Sequence, residues 1–316
     1  NMIAFGIKPF FQAYYVRRKL NVRIEKAKGN YKIDNKFDGL SQHVAYVINN
    51  STDVTILTIF SNLTDVAIYA VYNLVNTAVK NVVAAFVNGM DSIFGDLFVR
   101  NEKERLRNSF EIYEFIYYTL STIVFACTLI LTVPFVSVYM KGVTDANYIQ
   151  PLFSMIFILS GFFISARTIY SSLIYSIGHF KQTNFIVWIE TITNISLSLI
   201  LVPTFGLVGV AIGTIVSALI RLIYFMFYAS KVILNRSYFY SIKWMMIVGL
   251  ELFICLILPE FGILSYTPIN YFDWAIFAFI VLLVVSIIII LVNTVINYKT
   301  FKKVLEFGRS KLRHKL

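Results

Sequence analysis

Charge is what this sequence has least of. Only 14% of its 316 residues are Asp, Glu, Lys or Arg, 58% are hydrophobic, and the mean hydropathy is +0.72. A soluble domain carries about 25% charged residues, so a water-covered globule is excluded and an all-α polytopic membrane protein is expected. Acids are scarcer than bases, 17 against 28. In a soluble chain the net charge of +11 would suggest a nucleic-acid partner; here the bases lie between apolar runs, where their role is topological, and no nucleic acid is expected. Cys127 and Cys255 both lie inside apolar runs, which excludes a disulfide framework. His43, His179 and His314 have no metal-ligand spacing. No phosphate-cradling glycine loop, zinc spacing or nucleophile elbow occurs, so no enzyme is expected. The chain lacks a signal-peptide pattern and opens on Asn1, which leads us to expect a fragment of a longer protein.

What the chain has is long apolar runs. A spanning helix needs about 20 mostly apolar residues, and eight segments fit: Leu40–Ser61, Asp65–Gly89, Ile112–Tyr139, Ile149–Ile177, Asn184–Pro203, Leu207–Ser230, Lys243–Pro259 and Asp273–Asn297. The first two are polar for spans, and hydropathy alone would miss them. Bases crowd every second loop: nine before Leu40, then Arg100, Lys103, Arg105 and Arg107, then Lys181, then Lys231, Arg236 and Lys243, then seven from Lys299 to Lys315. The alternate loops hold only Lys141. The positive-inside rule then places both ends in the cytoplasm. Trp244 and Trp274 fall at span starts and Trp188 about a turn inside one, as interfacial anchors do. The tail spaces Phe301, Val304, Leu305 and Leu312 among bases, the pattern of an amphipathic helix on an anionic leaflet or of a solvated tail.

Span five ends at Pro203, "PTFG" makes an outer turn, and Gly206, Gly209 and Gly213 follow on one face of span six. Such a face admits a neighbouring backbone, so these glycines read as helix packing.

Polarity inside spans is costly and therefore informative. In span two Tyr69, Tyr72, Asn73, Asn76 and Lys80 recur at spacings of three and four, and in span one Gln42, His43, Tyr46, Asn49, Asn50 and Asp53 do the same. Asp53 lies 10 residues before the turn at Leu63 and Lys80 lies 17 after it. At 1.5 Å per residue the mismatch is roughly 10 Å, too far for a direct pair, so a wet cavity is expected instead. Glu190 and Arg221 lie 15 and 16 residues from the turn at Phe205 and are expected to form a structural ion pair. Arg167 has no acid at matching depth in its own hairpin and is expected to be an unpaired cation in the cavity, like Lys80. Glu251 stands alone in span seven, protonated or near an interface. Cations suit a phosphate or pyrophosphate, and amides and tyrosines suit sugar hydroxyls.

"NNSTDVTILTIFSNLTDVAIYAVYNLV", "NGMDSIFGDL", "PFVSVYMKGVTDANYIQPLF" and "GHFKQTNFIVWIETITNISLSLILVPTFGLVGVAIGT", in this order, resemble polysaccharide-biosynthesis flippases of the multidrug/oligosaccharidyl-lipid/polysaccharide exporter superfamily. The resemblance runs from about Lys8 to Arg221 and is weaker over the last two spans. It implies a transporter of two six-helix lobes around a central cavity. Residues 40–230 would be the C-terminal lobe, residues 231–297 two appended helices, residues 298–316 a basic cytoplasmic tail, and residues 1–39 a basic segment left from the inter-lobe linker. Such a chain alone would hold half a cavity. The implied cargo is an undecaprenyl-pyrophosphate-linked oligosaccharide, turned from the inner to the outer leaflet of a bacterial cell membrane by alternating access. No cofactor is implied; coupling to Na⁺ or H⁺ at Asp53, or to the membrane potential alone, is open. Partners would be the lipid-linked oligosaccharide, membrane lipid and a polysaccharide polymerase or other assembly proteins. A drug/cation antiporter, a membrane glycosyltransferase or ligase, and a non-transporting scaffold are the alternatives.

Overall fold

The computed structural model describes residues 2–20, 36–262, 264–298 and 300–304, and among these all regular structure is helical. The chain divides into two compact units, residues 1–36 and 37–316. The first holds α1 (Met2–Leu20), which ends on Arg17, Arg18 and Lys19. The other elements follow in order: α2 (Lys36–Phe60), α3 (Leu63–Ala85), α4 (Met90–Val99), α5 (Lys103–Tyr139), α6 (Pro151–Ala166), α7 (Thr168–Ser176), α8 (Phe180–Phe205), α9 (Leu207–Tyr228), a π-helical turn (Ala229–Ile233), α10 (Phe239–Ile257) and α11 (Tyr271–Ile296).

Among the described residues six helices are long and apolar enough to cross a membrane: α5, α6 with α7, α8, α9 with its π turn, α10 and α11. The α3–α4 pair, bent by 42°, makes a seventh if taken as one span. The chain therefore has the character of a multi-pass membrane protein. Helix α2 fails on composition, its 25 residues carrying the predicted polar stripe.

Local chemistry sets the helix boundaries. Asn62 and Asn270 cap α3 and α11, each accepting the N–H three residues on at 2.8 and 2.9 Å. Pro151 opens α6, where its missing N–H costs nothing. Gly206, at φ +52°, makes the turn between α8 and α9. The expected fourth span breaks at Arg167 into α6 and α7. Freed carbonyls are costly in an apolar setting, and tyrosines of α5 cover them: Tyr117 donates to Ser165 O at 2.6 Å and Tyr118 to Ala166 O at 3.4 Å.

Packing forms two apolar cores separated along α3. Ile68, Tyr69 and Tyr72 join one with Leu57, Phe153 and Val210; Val83 and Val87 join the other with Phe110, Phe162 and Phe225. The most extensive helix contact is α8 on α9, and the glycines permit it. A Cβ on Gly209 would stand 2.7 Å from the Leu201 backbone, and one on Gly213 would stand 2.5 Å from Ser198 Oγ. Gly161 likewise leaves room for the Asn76 side chain.

The tryptophans bridge helices. Trp244 is buried, stacked on Tyr118 with centroids 6.1 Å apart. Trp188 donates to Ser41 at 2.9 Å and Trp274 to Leu131 O at 3.4 Å. At the tail, Phe301 packs on Phe115; Leu305, Leu312 and His314 lie outside the described residues, so the amphipathic pattern is untraced beyond Val304.

Gly209→Ala should lower the thermal midpoint of the detergent-solubilised protein, because its Cβ meets backbone that must move; overpacking of this kind costs about 1–3 kcal/mol. Gly249→Ala, where a Cβ meets nothing within 4 Å, should be neutral or stabilise by roughly 0.5–1 kcal/mol. Equal midpoints for the two variants would refute the close approach of α8 and α9.

Candidate functional site

The polar stripes of α2 and α3 open onto a cavity of about 750 Å³, closed on its other sides by α6, α7, α8 and α9. From α2 come Tyr46, Asn49, Asn50 and Asp53; from α3 come Tyr69, Asn73, Asn76 and Lys80. The α3 residues follow a 4-3-4 spacing, which keeps them on one helix face. Arg167 enters at the α6–α7 break, Glu190 from α8 and Arg221 from α9.

Tyr72 is the exception. It is fully buried, its hydroxyl donates to Tyr148 O at 2.9 Å, and it accepts the Gln150 N–H at 3.0 Å. Residue 72 falls beside the 69-73-76-80 stripe, so its side chain anchors the loop before α6 instead of lining the cavity.

Arg167 also departs from expectation: it is paired. Its Nη1 bonds Glu190 Oε1, while Glu190 Oε2 accepts from Arg221 Nη1 at 2.5 Å. Its partner comes from the next hairpin, because α6 packs on α9 and α8 lies against α9. Arg221 further donates to the Tyr175 hydroxyl at 2.8 Å and lies over the Phe225 ring. One carboxylate thus serves two guanidiniums, all three largely withdrawn from solvent.

Asp53 and Lys80 line the same cavity and form no ion pair. Asp53 is buried and accepts from Tyr69 at 3.0 Å and from Thr214 at 3.3 Å. Asn194 donates to Thr214 at 3.1 Å, and its own Oδ1 is buried without a hydrogen-bond partner. Carboxylate, hydroxyl and amide oxygens of this kind are donors for a hard cation. Among the described residues no group of three or more His, Cys, Asp or Glu could hold a metal ion.

Sequence reasoning missed Asn194, Thr214, Ser217 and Tyr175, all on the cavity wall. Periodicity could have found three of them. Asn194 stands four residues after Glu190, and Thr214, Ser217 and Arg221 sit at i, i+3 and i+7. At the α7–α8 turn, outside the spans, burial holds the His179 imidazole below its usual range, with Nδ1 3.0 Å from the Tyr228 hydroxyl.

Glu190→Gln should destabilise the protein by about 3–5 kcal/mol, the cost of leaving buried charges without their counter-ion. Arg167→Gln should cost less, because Glu190 still neutralises Arg221, and adding it to Glu190→Gln should restore part of the loss. Thermal denaturation of the three variants reads this out; a double variant no better than Glu190→Gln alone would refute a shared carboxylate.

Compared with family models, with curated proteins and with solved structures, the chain matches none of them.

Proposed function

We propose that this chain is the C-terminal lobe of a flippase for lipid-linked oligosaccharides. On this reading it has eight spans, with both ends in the cytoplasm of a bacterial cell. Helices α2 and α3 supply the two spans that hydropathy does not reach. Their 25 and 23 residues give roughly 35 Å of helix at 1.5 Å per residue, enough for a hydrocarbon core of about 30 Å. Spans one to six form the lobe, and α10 and α11 are the appended pair.

The observation that carries the reading is the charge balance of the cavity. Lys80, Arg167 and Arg221 face Asp53 and Glu190, so cations outnumber carboxylates by one among the described residues, and the surplus is at Lys80, which has no ion-pair partner among them. A net positive site within apolar spans favours an anionic head group. The surrounding amides, hydroxyls and tyrosines suit sugars. Outward movement of each negative charge gains about 2.3 kcal/mol per 100 mV of inside-negative potential, so the potential itself favours export. A drug/cation antiporter would need acids in the majority. The Asp53, Thr214 and Asn194 oxygens support a Na⁺ or H⁺ coupling site beside the cargo. The reading is transport without covalent chemistry, and assembly proteins such as a polymerase would take the cargo up outside.

The test uses the intact gene, deleted from its host and complemented. Deletion should raise lipid-linked oligosaccharide on the inner leaflet and lower surface polysaccharide. Lys80→Ala should complement poorly: a hydrogen bond to a charged group is worth about 1.5–3 kcal/mol, so flipping should fall roughly tenfold or more, with Lys80→Arg retaining more activity. Asp53→Asn should remove any dependence on Na⁺ or pH. Unchanged levels of both pools on deletion would sink the proposal.

A further inference from the structure

Glu251 lies outside the cavity, in the appended helices. It is fully buried on α10, facing Asn293 of α11. Among the described residues no Lys, Arg or His is within ion-pair distance of it. Its packing neighbours on α10 are apolar or thiol, with Val248, Leu252 and the free thiol of Cys255 all buried. An ionised carboxylate here would be a lone charge in a span.

Hydrogen-bond bookkeeping locates a missing proton. Asn293 Nδ2 donates to Glu251 Oε1 at 2.6 Å and to the Ile289 carbonyl at 3.1 Å. Both amide hydrogens are thereby used, and the amide orientation is fixed, because reversing it would turn an oxygen toward two acceptors. Glu251 Oε2 and Asn293 Oδ1 are then both buried with no partner. With Glu251 ionised, both are acceptors, and neither finds a donor. A carboxylic acid has one O–H to give. A single proton on Oε2 removes the lone charge and turns one of the two unpartnered acceptors into a donor, with Asn293 Oδ1 the buried acceptor left on the facing amide.

We propose that Glu251 and Asn293 form a neutral proton-binding site, in which a protonated Glu251 and the Asn293 amide each donate to the other and latch α10 to α11. These two helices pack chiefly on α5 and only slightly on each other. Among the described residues their other direct polar links, Lys243 to Asn297 and Tyr240 to Thr300, lie nearer the basic ends. The Glu251–Asn293 pair is the polar link deepest in the apolar region. The inference stands apart from the cavity and from the cargo it takes.

Infrared difference spectroscopy on the full chain in lipid bilayers at neutral pH tests it. Wild type minus Glu251→Gln should show the carbonyl stretch of a protonated carboxylic acid, and that band should move to higher frequency in Asn293→Leu, where its hydrogen bonds are lost. A carboxylate band at Glu251 in the difference spectrum overturns the proposal. Thermal denaturation gives an independent reading. Glu251→Gln should keep the wild-type midpoint, since its amide N–H replaces the acid proton, and Glu251→Ala should lower it. A Glu251→Gln midpoint as low as that of Glu251→Ala also overturns the proposal.

Discussion

Glu190 is the group on which the polar interior depends. Among the described residues it alone neutralises Arg167 and Arg221, and a charge at mid-span costs about 2.5–3.5 kcal/mol even on insertion scales. Three structural features bring the three side chains together. The α6–α7 break turns Arg167 inward, and Tyr117 and Tyr118 cover the carbonyls that the break exposes. The glycine face of α9 lets α8 approach until Glu190 and Arg221 meet. Contact of α6 with α9 then brings Arg167 to the second carboxylate oxygen. The ion triad and the helix packing are therefore one constraint, and the cavity is the space left around it.

Helix α5 is the scaffold for α10 and α11. At 37 residues it runs roughly 55 Å at 1.5 Å per residue, well beyond a hydrocarbon core of about 30 Å. On its first turns Glu111 and Glu114 gather bases from three segments: Arg107 of α5 itself at 3.3 Å, Lys303 of the tail at 3.7 Å, and Arg236 from the link to α10 at 2.8 Å. The last is fully enclosed. Tyr170 and Ser241 also donate to Glu114, and the Arg236 guanidinium lies between the Phe110 and Tyr240 rings. Truncating either partner of such a pair strands the other, so α10 and α11 are tied to the bundle by polar chemistry at one end and by apolar packing on α5 along their length.

Much of this was legible from spacing. Periodicities of three and four put Tyr69, Asn73, Asn76 and Lys80 on one face, and depth counted from a turn pairs Glu190 with Arg221. The same arithmetic failed for Arg167, because depth within a hairpin carries no information about which hairpin packs alongside. Tyr72 failed for a related reason: a helix face of about 100° holds side chains that diverge at their tips, and only the position of the loop before α6 decides that Tyr72 leaves the cavity. The place of Trp244 at a span start says nothing of the stacking partner on α5 that buries it. Sequence spacing constrains what a helix can present; the neighbour that receives it is a tertiary fact.

The polarity of α2 and α3 follows from the same constraint. Asn50, Thr77 and Asn81 line the cavity and are also exposed, so the cavity opens across these two helices. Hydrocarbon against that opening would leave amides and hydroxyls without partners, and each unsatisfied group costs several kcal/mol. The opening must therefore meet water, a polar head group or another polar protein surface. A second lobe facing this one, as we propose, would supply such a surface and divide the space between protein and cargo. It would also account for two helices long enough to span a membrane that carry a polar face over nearly their whole length, since a helix lining a water-filled path on one side and lipid on the other has no use for uniform hydropathy.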